Sequence, residues 1–512
     1  MKSLFFSVLL TVAIFFSSYA GNEKTFDESF KSNTNFQINH ISLPVDNRTA
    51  GSKPYSQKNN NGSFCFKNLF KHKKTTSGYF KKEPYLLFTG DNSEMLVLWQ
   101  TDSTRSCIFD YGTDTTYSQG SFTVDEYGND HQYKILISDL LPETKYYYRV
   151  NCNDVIKKGS FFTGPGDEAT SFTFYAYGDT RSNPNAHNSV AGQIVQEIEQ
   201  SPETQTFIIS SGDLVSNGNH ENDWQQQFFS SDYENIRKMM AELPYFAAIG
   251  NHEGQGVLFK KYFPYPMYTT DRFYYSFDYG PAHFTVVDQF TNYQTGSPQY
   301  NWIVNDISSS NKKWKIFVFH KPGWSADGGH SNSTTVQQVL QPLFEQHGIQ
   351  LAIAGHNHYY ARAVVNGVHH ITTGGGGAPL YNPNPNYDSI VTVSKSYHFC
   401  KISINGDTLT FTATKYNGSN IETFKIVNIN TKIDKQKVKY DFKVYASGKY
   451  INIENRSNTK GIVTVFDNYG HKVFEKNITG ITNAIPVKTS GIYFVRLTNG
   501  NKIVAVKKLF IK

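Results

Sequence analysis

Five short apolar runs between Phe172 and Pro379 each stop at a polar cluster, and this pattern constrains the fold more than any other stretch of the 512-residue chain. Phe172-Thr173-Phe174-Tyr175-Ala176-Tyr177 runs into Gly178-Asp179-Thr180-Arg181. Phe207-Ile208-Ile209-Ser210-Ser211 runs into Gly212-Asp213. Tyr245-Phe246-Ala247-Ala248-Ile249 runs into Gly250-Asn251-His252-Glu253. Ile316-Phe317-Val318-Phe319 runs into His320, and Leu351-Ala352-Ile353-Ala354 runs into Gly355-His356-Asn357-His358. The runs are β-branched or aromatic and almost free of charge, as strands buried on both faces are. A glycine after a strand lets the backbone turn sharply. Open α/β sheets bind ligands at the carboxyl ends of their strands. Asp179, Asp213, Asn251, His320, His356 and His358 are therefore expected to converge.

Two carboxylates, an amide and three imidazoles offer oxygen and nitrogen donors without a thiolate. Such a set suits zinc, iron or manganese. Six ligands are too many for one tetrahedral ion but fit a pair that shares a carboxylate. Two ions about 3.5–4 Å apart can hold a phosphate and bring the pKa of a bound water towards about 7. Hydrolysis of a phosphate ester needs that chemistry.

The ordered series GD, GD, GNHE, H, GHNH resembles that of the calcineurin-like metallophosphoesterases, and more narrowly that of the purple acid phosphatase group. Thr372-Thr373-Gly374-Gly375-Gly376-Gly377-Ala378-Pro379 strengthens the narrower likeness. The resemblance implies an α/β (α+β) sandwich of two mixed sheets flanked by helices. It implies two divalent or trivalent ions, with Asp213 bridging both. Asp179 and His358 would complete one site; Asn251, His320 and His356 would complete the other. A metal-bound hydroxide would attack phosphorus in line, and a nearby acid would protonate the leaving alkoxide. His252 is the best acid or oxyanion stabiliser. In related phosphatases a histidine in the loop after the fourth strand touches substrate; here that is His330, with a plain surface residue as the alternative. Glu253 is expected to orient His252 or cap a turn. His283, His369, His370 and His398 match no motif and are expected to be structural.

Two departures from the pattern stand out. The purple group has a tyrosine three residues after the second GD aspartate, where this chain has Ser216. The charge-transfer colour should then be absent, and Asn217, water or nothing would replace the ligand. Arg181 stands where many relatives have histidine and the purple group has glycine. An arginine cannot ligate a cation, but its fork can grip a phosphate. The alternative is a salt bridge outside the site.

The rest of the chain reads as additional domains. Lys2, the apolar stretch Leu4 to Phe16, and Ser18-Tyr19-Ala20 read as a signal peptide over 1–20. Residues 21–82 are rich in Asn, Lys and Ser and read as a poorly ordered leader. Residues 83–164 read as a β-sandwich. Its Leu140-Leu141-Pro142 turn before Tyr146-Tyr147-Tyr148-Arg149-Val150 is similar to fibronectin type III modules with a tyrosine corner. Its loops would line the active-site cleft, or the domain would be a spacer. Cys107 and Cys152 fall within it and can pair, since export permits disulfides. Residues 170–428 form the expected catalytic domain. Helices are predicted at 187–199, 224–241, 300–307 and 335–347, with a hairpin around Asn405-Gly406-Asp407. Residues 441–512 alternate in short strands with hairpins at Asp467-Asn468-Tyr469-Gly470 and Asn499-Gly500. Their ending resembles the C-terminal sorting domain of the type nine secretion system, which implies the outer-membrane secretion machinery as a partner; an adhesive or carbohydrate-binding sandwich is the alternative.

The net charge of +6 is scattered, and no basic helix interleaves with aromatics, so nucleic acid is not an expected partner. No run after the first twenty residues reaches the length of a membrane helix. The leading expectation is a secreted or cell-surface phosphomonoesterase of small phosphorylated substrates. A phosphodiesterase or nucleotidase on the same metal pair is one alternative, and a catalytically silent binding protein is another. The tyrosine-rich segment Tyr262 to Tyr275 could stack a base or sugar, or simply pack.

Overall fold

The computed structural model describes residues 79–428, apart from 167, 270 and 271, and residues 442–511, apart from 456–459, 468–469, 479–481 and 500–501. The signal peptide and most of the leader lie outside the described residues, as does Gly500 of the last predicted turn.

Two sheets make the N-terminal sandwich. One orders Phe80–Leu87, Met95–Thr101 and Gln132–Ile137; the other orders Gly120–Val124, Cys107–Gly112, Lys145–Cys152 and Val155–Phe162. Trp99, Tyr133, Phe109, Tyr148 and Phe161 fill the space between them. Cys107 and Cys152 are direct cross-strand partners and form a disulfide. The Tyr146 hydroxyl accepts the Leu141 N–H at 3.0 Å, five residues back, and ties the corner before its strand. The first strand starts at Phe80, inside the stretch read from sequence as leader. Lys82 conceals it, because a lysine fills a slot that is 1% exposed and breaks the apolar alternation. Its ammonium bonds Gln100 and, at 2.7 Å, Glu221 of the catalytic domain. The sandwich also touches that domain where Tyr148 Oη donates to Ala241 O at 3.0 Å and Tyr85 Oη to Tyr262 O at 2.9 Å. These contacts brace the segment behind Ser216 and the helix Glu234–Glu242; they do not fall on the six expected ligands.

The expected catalytic domain is a pair of mixed sheets. The first orders Tyr245–Ala247, Ile208–Ser210, Ser171–Tyr177, His398–Asn405, Thr408–Lys415 and Asn420–Val427. The second orders Tyr275–Tyr279, Ala282–Val286, Trp314–Val318, Leu351–Ala354, Val368–Thr373, Tyr360–Val365 and Ile390–Ser394. Their inner faces meet through aromatic rings. Phe174 meets Phe284 edge-on at 5.2 Å, and Phe246 stacks on Phe277 at 4.0 Å. Each fully buried ring contributes about 1.5–3 kcal/mol, so this seam fixes how the sheets face each other. Three strands of the first sheet run parallel, as do four in the second. Their carboxyl ends therefore leave the core along one edge.

Helices cover the outside. Pro184–Gln200 starts with proline in its first turn and with Asn183 Oδ1 accepting the Ala186 N–H. The helix expected over 224–241 is instead two pieces, a short turn from Glu221 to Phe228 and the helix Glu234–Glu242. The intervening Phe229-Ser230-Ser231-Asp232-Tyr233 lets serine and aspartate side chains compete with the helix for backbone donors; Ser230 Oγ accepts the Asp232 N–H. The run from Val336 to His347 takes a π-helical turn before Pro342, whose missing N–H breaks the α register. Tyr262 to Tyr275 is packed rather than presented. Tyr265 is buried and donates to Tyr245 O at 2.6 Å, and Tyr275 donates to Ala247 O at 3.1 Å.

His283 lies between Asp278 Oδ1 at 2.7 Å and Asp306 Oδ2 at 2.9 Å. Burial alone would lower its pKa, but the two hydrogen-bonded carboxylates outweigh that and raise it from 6.5 to about 9. The charged form is thus favoured by folding. Its contribution, at most about 3 kcal/mol, is complete below pH about 6.5 and disappears as pH rises through about 9. His283→Asn should therefore lower the melting temperature clearly at pH 6 and hardly at pH 10. An equal loss at both would rule out this charge as the cause.

C-terminal strands form a second, smaller sandwich. Phe442–Ser447, Tyr450–Asn455 and Thr482–Pro486 make one sheet; Lys472–Ile478, Gly461–Phe466, Gly491–Asn499 and Lys502–Ile511 make the other. Ile451, Val463, Val465, Tyr493 and Leu497 are in its core. Both predicted hairpins pair antiparallel.

Candidate metal centre

All six expected ligands meet at the shared strand edge, and backbone geometry explains the glycines before them. Asp179, Asp213 and His356 themselves adopt left-handed φ of 56°, 56° and 66°. Such strain in non-glycine residues concentrates at functional sites. Of the preceding glycines, only Gly212 has a positive φ, 96°. The others are required by close approach instead. A Cβ on Gly250 would stand 2.3 Å from Asp213 Oδ1, and one on Gly355 would stand 2.3 Å from Asp179 Oδ2. The expected glycine turn is present at Gly212 alone; Gly178, Gly250 and Gly355 make room instead, and Asp179, Asp213 and His356 themselves turn.

His320 Nε2 is the hub of one half. Asn251 Oδ1 lies 3.0 Å from it, His356 Nδ1 3.1 Å and Asp213 Oδ1 3.3 Å. Asp213, His320 and His356 each place a donor atom within 4.8 Å of the other two. His320 Nδ1 donates to Ser211 O at 2.8 Å, which turns the lone pair of Nε2 towards these acceptors. Acceptors facing one another in a buried pocket require a proton or a cation between them. In the other half, His358 Nδ1 donates to Pro379 O at 2.8 Å and points Nε2 inward, 3.6 Å from Asp179 Oδ1. Asp179 is wholly buried, yet its Oδ1 has no hydrogen-bond partner among the described residues. Burial, opposed by His320 and aided by the charge of Asp213, raises its carboxyl to about 8. A cation beside it would reverse that. The donor chemistry and the orphan oxygen both fit metal ions.

His356 and His358 both turn towards the cluster, although neither lies on a strand. The strand ends at Ala354, and residues 355–359 form a bend. Asn357, between the two histidines, has its own task. Its Oδ1 accepts the His330 N–H at 2.6 Å and its Nδ2 donates to Ser325 Oγ at 2.7 Å. This holds the loop that stacks His330 on His356, centroids 4.0 Å apart. His330 is therefore at the site. Tyr381, absent from the motif reading, stacks on His358 at 4.2 Å, with its hydroxyl 3.4 Å from His330 Nε2. Its position depends on the loop after the glycine run, which no spacing rule reveals.

His252 Nδ1 donates to Ser216 O at 2.6 Å, leaving Nε2 3.8 Å from Asp213 Oδ2. Glu253 does not contact His252. Its carboxylate accepts three backbone N–H groups, those of Leu214, Asp213 and Gly250. Ser216 Oγ is bound to Gln227 and Ser182, and Asn217 turns towards Asn219 and His220, so neither side chain takes the place of the missing tyrosine. Arg181 is inside the cluster, with Nε 3.5 Å from Asp213 Oδ2 and Nη2 3.3 Å from His358 Nε2. A cavity of about 480 Å³ between the sandwich and the catalytic domain is lined by Glu143, Phe162, Ser171 and Asn405; it lies at the opposite strand ends and is not this site.

Comparison with known proteins agrees with the geometry. A calcineurin-like phosphoesterase model matches residues 172–360, a purple acid phosphatase N-terminal domain matches 82–174, and a secretion system C-terminal sorting domain matches 447–512. The chain is 26% identical over 268 residues to a purple acid phosphatase of Glycine max, covering 46% of this chain and 54% of that one. It is 24% identical over 317 residues to a phosphoenolpyruvate phosphatase of Allium cepa, covering 56% and 63%. The chain thus spans about half to two thirds of the length of these relatives. The solved purple acid phosphatase from yellow lupin seeds (Lupinus luteus) shares the fold, with a TM-score of 0.58 at 20% identity over 67% of this chain and 74% of that one. The sorting domain implies export to the cell surface or beyond. The six expected ligand side chains thus all fall within the segment that matches the calcineurin-like phosphoesterases, behind a matched purple acid phosphatase N-terminal domain, and purple acid phosphatases are among the chain's relatives.

Proposed function

We propose that the protein is an exported phosphomonoesterase with a two-ion centre. The observation that carries this reading is the convergence of Asp179, Asp213, Asn251, His320, His356 and His358, flanked by His252 and His330. Asp179, Asp213 and His358 would hold one ion, and Asp213, Asn251, His320 and His356 the other. When bound, the ions would neutralise phosphate oxygens and make a water nucleophilic near neutral pH. The side chains do the remaining work. His252, fixed through Nδ1, turns Nε2 to the centre; doubly protonated, it can donate that proton to the leaving oxygen. His330 and Tyr381 form a half-exposed wall against which the ester group would rest. Arg181 supplies a cation that can grip a phosphate oxygen. The C-terminal domain would deliver the enzyme to the outer-membrane secretion machinery.

The test is hydrolysis of p-nitrophenyl phosphate and its bis ester by metal-analysed protein. Faster turnover of the monoester, lost on metal chelation and restored by metal, is expected. Preference for the diester would instead identify a phosphodiesterase, and no turnover of either or of nucleotides would favour a binding protein.

A further inference from the structure

The two halves of the centre are unequally furnished. Four donors surround the half at His320: Asp213 Oδ1, Asn251 Oδ1, His320 Nε2 and His356 Nδ1, three of them within 3.3 Å of His320 Nε2. Among the described residues, the half at His358 has only Asp179, Asp213 and His358. None of the three positions that could add a donor, Ser216, Asn217 and Arg181, does so. Ser216 is tied to Gln227 and Ser182 at 2.9 Å each, and Asn217 faces the turn outside. Arg181 is the other such position, and it works against the ion.

Arg181 contacts the same atoms an ion would need. His358 Nδ1 carries its proton to Pro379 O, so Nε2 presents its single lone pair; Arg181 Nη2 donates to that lone pair at 3.3 Å. Arg181 Nε lies 3.5 Å from Asp213 Oδ2. The guanidinium cannot lose its proton, so it cannot become a ligand and stays a positive charge. Its side chain is 13% exposed, so solvent screens it only partly. Little else anchors it. Among the described residues, its Nε has no hydrogen-bond partner and Nη1 donates only to Ser182 Oγ at 3.2 Å. The side chain can therefore leave when an ion or a phosphate gives reason to.

We propose that the protein binds its two ions with unequal affinity: tightly at Asp213–Asn251–His320–His356, and weakly at Asp179–Asp213–His358, where Arg181 competes with the metal. The inference rests on the two-ion reading above and adds to it which ion is exchangeable and why. Loss of one donor and repulsion by a neighbouring guanidinium together should separate the affinities by more than about tenfold.

The experiment is a zinc titration of metal-stripped full-length protein, followed by calorimetry and by equilibrium dialysis with elemental analysis. Binding that survives in Asp213→Asn measures adventitious sites and is subtracted. The expected result is one tight equivalent and one at least about tenfold weaker. His358→Ala should remove only the weak equivalent. Arg181→Gln, which keeps the length but not the charge, should tighten the weak equivalent and leave the tight one unchanged. Thermal melts of the metal-free variants check that each is folded. Two equal sites in the unmodified protein would overturn the proposal, as would an unchanged gap in Arg181→Gln or loss of the tight equivalent in His358→Ala. If no specific zinc binds at all, the two-ion reading itself fails, a result distinct from these three.

Discussion

Asp213→Asn is expected to lower turnover at least about a thousandfold while leaving the metal-free protein folded. The residue is 1% exposed, and its two oxygens face different halves of the centre. Oδ1 accepts the His252 N–H at 2.9 Å and lies 3.3 Å from His320 Nε2. Oδ2 lies 3.5 Å from Arg181 Nε and 3.8 Å from His252 Nε2. Only a carboxylate can give an anionic oxygen to each side. Asparagine has the same shape and can still accept the His252 N–H, so the left-handed turn and its backbone contact survive. What is lost is one acceptor and the charge. A ligated ion contributes several kcal/mol of transition-state stabilisation, and every 1.36 kcal/mol is a factor of ten in rate. Turnover should therefore collapse together with metal content, while the melting temperature in chelator changes little. Full hydrolysis by Asp213→Asn would show that the residue does not bridge. A large fall in the chelated melting temperature would show that it is mainly structural.

The ligand edge was legible because its two signals are local. A buried strand reads as an apolar run, and the residue after it must face the crevice. All five runs became strands, and all six donors converged. Features that depend on two distant segments were not legible. Glu253 fastens two strands rather than His252, because its partners are backbone groups 39 residues away at Leu214 and 40 at Asp213. Tyr381 reaches His358 through a loop whose course is set by the glycine run packing against Gly178 and Thr180. Lys82 hid the first strand, since its burial depends on Gln100 and on Glu221, 139 residues on. Burial lowers that lysine's pKa from 10.5 to about 8 despite Glu221. The apolar spacing over 224–241 reads as one helix because it persists across Ser230-Ser231-Asp232, where side-chain competition interrupts it.

Glu253→Ala is expected to destabilise the metal-free protein by about 3–5 kcal/mol and to abolish tight metal binding. Glu253 is completely buried. Oε1 accepts the Leu214 N–H at 2.7 Å; Oε2 accepts those of Asp213 at 3.0 Å and Gly250 at 2.6 Å. These donors belong to the chain just as it leaves two strands of only three residues each. Those strands have too few ladder bonds to fix the direction of Asp213 and Asn251 unaided, so the carboxylate acts as a clasp. Burial, then the charge of Asp213, drives the carboxyl pKa upward, while the N–H donors oppose it. Alanine removes that buried charge, which recovers some of the loss, but it leaves three donors without acceptors in a dry site. Each costs about 1–3 kcal/mol. Glu253→Gln keeps one carbonyl oxygen, and turning its amide so that this oxygen serves Asp213 and Gly250 sacrifices only the bond to Leu214. Its loss in chemical denaturation should be under half that of the alanine variant, with metal binding weakened rather than lost. If both variants melted within about a degree of the unmodified protein and retained their metal, the clasp would be dispensable, and the strand ends would have to be held by packing of the adjoining apolar residues alone.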